Sequence, residues 1–411
     1  MENMAPQSWL TNYLAPLAMA GEENCRGQAQ HNNKRQAPAA EPRQRTAFND
    51  ITNNAHVRLG AGLDKAAKAA DAKAMPQHHL ELSSAQFSDP SLIDGQHQAD
   101  KRRRDWIDVD AMNVDDPASC SHYAQAIFTY LREAEKLRRA NPLYLEQTQS
   151  DVNAKMRAIL VDWLVEVAEE YKLCADTLYL TVSYIDRFLS LHVVQRSHLQ
   201  LVGVACMWVA SKYEEIYPPN VSDFCYITDN TYTREQMVNM EETILKKLGY
   251  ELTVPTAKTF LRRLLQVCNP DEHLHFLSNY LTELSLLDHT MMRYLPSEIA
   301  AAAVYLANLM LGKHQPWDNT LQHFATYNAT QLASCVQALA ALHHAMSVCP
   351  TLVSIRTKYA APRCRAVSLL HPLQHLHVTP DQGVMVCDRH YMELPRQHSS
   401  TGSCCSSQTQ A

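Results

Sequence analysis

Apolar positions recur at helical spacing from about residue 119 to residue 359, and hardly anywhere else in the chain. The spacing predicts helices over residues 123–139, 156–172, 178–191, 199–215, 234–249, 256–265, 272–287, 296–311 and 331–346, with a short piece near 351–359. In the first of these, Ile127, Tyr130, Leu131 and Leu137 form the apolar side, and Asn141-Pro142 ends it. Gly249 suits a helix C-terminus, where the chain turns left-handed. Pro296 suits a first turn, where its missing N–H costs little.

Two segments differ in texture from the rest. Residues 201–211 (LVGVACMWVAS) and 299–311 (IAAAAVYLANLML) are apolar nearly all round and full of small side chains. A helix without a polar face is surrounded by other helices. Small side chains let those neighbours approach at the short end of the roughly 8–10 Å range of helix spacings. The two segments lie about 100 residues apart, each with helices on both sides. The expected architecture is therefore all-α, a duplicated unit of about five helices around a buried small-residue helix, with Pro255 at the joint. The partition is a disordered regulatory tail over 1–118, a first unit with a preceding helix over 119–254, a second over 255–360, and an irregular tail over 361–411.

The flanks lack the composition of a core. Residues 1–118 are rich in Ala, Gln, Asn and Pro without a sustained period. Within them DKAAKAADAKA (64–74) can form only a transient helix, since it has no apolar face to bury. The stretch WLTNYLAPLAMA (9–20) has a faint secretory look. Its start carries Glu2 and no Lys or Arg, so secretion is not expected. The longest apolar runs fall short of the ~18–20 residues a membrane helix needs.

The whole chain, 411 residues with 46% hydrophobic and 19% charged residues, has material for two or three domains. Only 10 residues are Gly, which argues against glycine-rich phosphate-binding enzymes and turn-dense β architectures. A net charge of -6 argues against a general nucleic-acid binder. The 12 Cys show no CxxC and fit a reduced intracellular protein whose thiols mostly fill core positions.

The segment 156–171 carries the clearest chemistry. Leu160, Leu164, Val167 and Tyr171 form one apolar stripe, and Ala158, Val161, Val165 and Ala168 form another. Asp162, Glu166, Glu169 and Glu170 occupy a polar arc, bordered by Met156, Ile159 and Trp163 beside Glu166. Such a half-covered cluster beside a carboxylate suits a short peptide that carries a cation and a leucine. Plain packing at a helix edge would give the same pattern.

The residues MRAILVDWLVEVAEEYK (156–172) closely resemble the first cyclin-box helix of A- and B-type cyclins. LQLVGVACMWVASKYEEIYPP (199–219), the segment ITDNTYTREQ through FLRRLL (227–265), NYLTELSLLD (279–288) and CPTLVSIRTKY (349–359) are likewise similar to A-type cyclins. The detail is most similar to the plant and green-algal A-type group, and the resemblance covers about 105 to 360. It implies two five-helix cyclin boxes. It also implies a regulatory subunit that is not itself an enzyme. Such a subunit binds a cyclin-dependent serine/threonine kinase, activates it, docks its substrates and drives cell-cycle progression. No cofactor or metal is implied.

Carried over by position, Lys212 and Glu241 match the family's charged pair at the kinase's regulatory helix, and Val209, Tyr213, Leu245 and Tyr250 match apolar positions that pack on it. Read alone, Lys212 and Glu241 would be solvated surface charges. Met156, Ile159, Leu160, Trp163, Glu166, Leu199 and Gln200 match the family's docking patch for Arg-x-Leu motifs on substrates and inhibitors. In the tail, RTAFNDITN (45–53) resembles a mitotic-cyclin destruction box read by a ubiquitin ligase of the anaphase-promoting type. Arg45, Ile51 and Asn53 match, and Phe48 stands where the family has leucine. A pocket shaped for leucine accepts phenylalanine poorly, since overpacking costs ~1–3 kcal/mol. The run Lys101, Arg102, Arg103 and Arg104 reads as a nuclear localisation signal.

Other signals are discounted. His375, His377, Cys387 and His390 match no familiar metal spacing. No HExxH, GxSxG or kinase catalytic-loop pattern occurs. Two alternatives stand beside the kinase-regulator reading. A cyclin-fold transcription factor should carry a basic face and a zinc ribbon, and this acidic chain has no CxxC. A non-activating helical scaffold would be indifferent to the loss of Lys212 and Glu241.

Overall fold

The computed structural model describes residues 105–373, 376–379 and 383–386. A short lead-in helix α1 (Val109–Met112) is followed by α2 (Ser121–Ala134) and α3 (Tyr144–Gln147). Five helices then form the first repeat: α4 (Ala154–Glu170), α5 (Ala175–Leu191), α6 (Leu199–Glu214), α7 (Val221–Ile227) and α8 (Arg234–Lys247). The second repeat is α9 (Ala257–Cys268), α10 (Glu272–Leu284), α11 (Pro296–Met310), α12 (Asn319–Ala325) and α13 (Ala329–Val348), and α14 (Ser354–Ala360) follows it.

Side chains at the starts explain where these helices begin. Asn153 accepts from the Met156 N–H, Asp271 from that of Leu274, and Asp318 from that of Leu321. Thr233 with Gln236, and Asn328 with Gln331, form reciprocal capping boxes. Pro296 occupies the first turn of α11. The ends are as legible. Gly249 takes φ +64°, its N–H bonds the Lys246 carbonyl at 3.2 Å, and the Tyr250 N–H bonds that of Leu245 at 2.9 Å. That double closure is a Schellman motif.

The two small-residue helices sit at the centres. α6 is packed by α4, α5, α7 and α8, and α11 by α9, α10 and α13. From Leu201 to Met207 every residue of α6 is buried, as is every residue of α11 from Ile299 to Asn308. The all-α, twice-repeated expectation holds. The segment after α14, expected to be irregular, contains two 3-10 turns, at Pro362–Cys364 and Val367–Leu369. Beyond them an antiparallel hairpin pairs β1 (Leu376–Thr379) with β2 (Gly383–Val386) and packs against α13.

Polar clamps tie the repeats together. The Arg157 guanidinium on α4 grips Asp186 on α5 through two bonds of 2.7 Å and also donates to the Leu286 carbonyl at 2.8 Å. Tyr144 from α3 donates to the same carboxylate at 3.0 Å. Glu135, just past α2, is buried and accepts from the backbone N–H and the hydroxyl of Ser297 at the start of α11. Asp162 on α4 accepts from the N–H and hydroxyl of Ser354 in the first turn of α14. Burial raises the Asp162 carboxyl above its usual range, against the lowering effect of those bonds. On α14, Lys358 and Tyr359 converge on the buried Glu283 of α10, each at 2.9 Å.

One expectation is corrected. Ile127, Tyr130 and Leu137, taken as the apolar side of the first helix, are exposed, and only Leu131 of that set is half-buried. The face of α2 that enters the core carries Ala124 and Phe128 instead. Periodicity marks a stripe but does not say whether this protein or another covers it.

Candidate functional site

The first candidate surface forms where the C-terminal end of α6 meets α8. Lys212 lies in the last turn of α6 and pairs with Glu241 on α8. Its ammonium also stands 3.7 Å from the centre of the Trp208 ring, a cation–π contact that holds the side chain against the helix. Tyr213 is exposed, and its hydroxyl bonds Thr253 Oγ1 at 2.8 Å. The Schellman turn after α8 brings Tyr250 to φ +60°, where its side chain is 64% exposed. Leu245 is half-buried between these groups, and Val209 is a core residue at 3% exposure. Of the six positions carried over to a kinase interface, five therefore reach the surface and Val209 supports them from below.

Two further exposed apolar groups stand outside the six carried-over positions. Ile216 and Tyr217, in the turn after α6, are 87% and 85% exposed. On α2, Tyr123, Ile127 and Tyr130 make an uncovered stripe at i, i+4 and i+7. The segment just past that helix is fastened beside Tyr250, because Arg138 pairs with Glu251 at 2.7 Å and Arg187 donates to the Glu251 carbonyl at 2.9 Å. The stripe was visible as periodicity, but its outward direction was not.

The second surface runs along α4 and the first turn of α6, two helices that pack together. Arg196 and Asp151, 2.7 Å apart, join the segments leading into the two helices. Ile159 is 48% exposed, and Met156, Trp163 and Gln200 are half-buried. Leu160 and Leu199 are buried and form the floor. Glu166 is exposed at one end and accepts from the Ser354 hydroxyl at 3.0 Å. The arrangement is a shallow apolar patch with a carboxylate at its rim.

Among the described residues, one group of metal-ligand types clusters: Cys174, Asp176 and Glu214 lie within 4.8 Å of one another. Asp176 is engaged by Arg262 at 2.6 Å, and burial pushes the Cys174 thiol up, away from the thiolate a metal needs. The degron-like Arg45, Phe48, Ile51 and Asn53 and the basic Lys101, Arg102, Arg103 and Arg104 lie outside the described residues. So do His375, Cys387 and His390.

Residues 126–253 match the family "Cyclin, N-terminal domain", and residues 255–373 match "Cyclin, C-terminal domain". The chain is 48% identical over 285 residues to Putative cyclin-A3-1 of Arabidopsis thaliana, an alignment that covers 68% of this chain and 80% of that one. The chain belongs to the A-type cyclins. It is similarly 50% identical over 270 residues to Cyclin-A1-1 of Oryza sativa subsp. japonica, covering 64% of this chain and 52% of that protein. The chain spans about half the length of the rice A1 cyclins it matches. A viral cyclin from herpesvirus saimiri is similar in structure at a TM-score of 0.48 and 22% identity, covering 53% of this chain and 97% of that one. In this A-type cyclin the two family segments meet beside Pro255. The Lys212–Glu241 pair lies wholly in the first, and the clamps from Arg157 and Asp162 cross to the second.

Proposed function

We propose that this A-type cyclin is the regulatory subunit of a cyclin-dependent serine/threonine kinase and is not itself an enzyme. The observation that carries the reading is the Lys212–Glu241 pair, exposed at the lysine and half-buried at the glutamate, set among Tyr213, Leu245 and Tyr250, with Ile216, Tyr217 and the α2 stripe also left uncovered. A large apolar surface interrupted by a charged pair suits a partner helix, whose end offers backbone groups to the charges. The kinase performs phosphoryl transfer. The cyclin binds the active arrangement of the kinase's regulatory helix and activation loop better than the inactive one, and so shifts that equilibrium.

The α4–α6 patch supports a second role, docking of Arg-x-Leu motifs on substrates and inhibitors. The leucine would lie on Met156, Ile159 and Trp163 over the floor of Leu160 and Leu199, with the arginine at Glu166 and Gln200 alongside. The expected setting is S phase or the G2/M transition, including mitosis. Nuclear entry would use Lys101–Arg104, and ubiquitin-mediated turnover would use the Arg45–Asn53 segment.

The test uses the full-length chain and a cell-cycle kinase subunit in a pull-down with a histone-kinase assay. Wild type should bind and activate. The Lys212→Ala/Glu241→Ala double variant should do neither, while keeping wild-type helicity and melting temperature. Failure of folded wild type to bind any cell-cycle kinase would remove the regulator reading.

A further inference from the structure

We infer that Ser354, in the helix that trails the second repeat, is the positioning residue for Glu166, the carboxylate at the rim of the α4–α6 patch. The inference rests on the docking role proposed for that patch. α14 packs on α4, and the acidic arc of α4 meets it. Asp162, Glu166 and Glu169 stand at i, i+4 and i+7, on one face of the helix. Each is met from α14 or from the turn just after it, but by different groups. Glu169 takes two cations, the Lys358 ammonium at 3.3 Å and the Arg363 guanidinium. Asp162 is buried and accepts from the Ser354 N–H at 3.1 Å and from the Ser354 hydroxyl at 2.8 Å. Glu166 is exposed and, among the described residues, accepts only from that same hydroxyl, at 3.0 Å.

A serine hydroxyl carries one hydrogen, so it serves Asp162 or Glu166 at any moment. Turned to Glu166, it fixes Oε1, and Asp162 keeps the N–H. A carboxylate has about four acceptor sites, so Oε2 and the rest of Oε1 stay open to a guanidinium. Turned to Asp162, the hydroxyl leaves Glu166 wholly to the ligand. Glu166 is thus held in place before an arginine arrives, and no cation has to be displaced. An unfastened glutamate would give up its rotamer freedom on binding, and fixing it beforehand removes that cost.

Glu166 lies in the first family segment and Ser354 in the second. The charged rim of the patch is therefore completed by the other repeat, whereas its apolar floor, Leu160 and Leu199, belongs to the first alone.

The experiment measures binding of a labelled Arg-x-Leu peptide to the full-length chain by fluorescence anisotropy. A second peptide carries citrulline for the arginine, which keeps the shape and removes the charge. Ser354→Ala should weaken the arginine peptide by about threefold to tenfold and leave the citrulline peptide unchanged. Ser354→Thr, which keeps the hydroxyl, should bind as wild type does. In a Glu166→Gln chain, Ser354→Ala should have no further effect. Circular dichroism and melting temperature check that each variant is folded. Where alanine prevents folding, Ser354→Cys gives the same comparison, since a thiol is only a weak donor. Wild-type affinity in the folded alanine or cysteine variant, equal losses for the two peptides, or a loss in Ser354→Thr as large as in Ser354→Ala would each overturn the inference while docking itself stands. No saturable binding of the arginine peptide by folded wild type would remove the docking role, and the inference with it.

Discussion

A Cβ placed on Gly203 would stand 2.7 Å from Leu160 Cδ1, so the helix bearing the proposed docking patch and the helix at the centre of the first repeat touch through a bare backbone. Leu160 is thereby held as the floor of the patch, with Ile159 left outside. Gly203→Ala should lower stability by at most ~2 kcal/mol, the overpacking cost less the helix propensity that alanine returns. Urea denaturation should show it. Leu160→Ala alone should cost ~2–5 kcal/mol, and the double variant should cost less than the sum, because each change makes room for the other.

Arg157 and Asp186 are both buried, and the Arg157 guanidinium also serves a carbonyl of the second repeat. Removing one partner of such a pair strands the other charge. Arg157→Ala should therefore destabilise by ~3–5 kcal/mol. Lys212→Ala, which breaks a pair at the surface, should stay within ~1 kcal/mol. Equilibrium unfolding of the two variants side by side distinguishes a buried structural ion pair from a surface one.

His343 is buried against the Tyr280 ring, and its Nε2 has no hydrogen-bond partner. Burial depresses its pKa from 6.5 to about 4. The unfolded chain thus takes up a proton that the folded chain refuses. The contribution is fully present above the unfolded value and is lost as pH falls from 6.5 toward 4. Its whole size is about 3 kcal/mol at ~1.4 kcal/mol per pH unit. His343→Phe should flatten the fall in stability between neutral pH and the mildly acidic range, relative to wild type. An unchanged slope would show that other groups carry it.

Tyr123, Ile127 and Tyr130 project from α2 without cover from this chain. On the proposed kinase role, Tyr130→Ser should weaken kinase binding, measured by calorimetry, by the ~2 kcal/mol or more typical of a buried interface aromatic. The melting temperature of the free cyclin should not change.

Much of the fold was legible because long helices leave a full period of apolar residues. The expected helix at 156–172 appears as Ala154–Glu170, and that at 199–215 as Leu199–Glu214. The short helices Tyr144–Gln147, Val221–Ile227 and Asn319–Ala325 were not read, since they complete at most two turns. The hairpin after Leu376 was missed as well, because its strands have four residues each and no alternation long enough to count. The exposed half of the α4–α6 patch followed from angles around one helix. The burial of Leu160 and Val209 depended on neighbours from other parts of the chain.

The helical class, the repeat around two small-residue helices and the family motifs are legible without coordinates, since each is written in local spacing. Long-range packing settles which way α2 turns its apolar stripe, that Arg157 and Asp162 clamp the second repeat, and that a pocket remains beside Pro255. Those outcomes depend on groups more than a hundred residues apart meeting in space, and the period of a single helix carries no information about its partner.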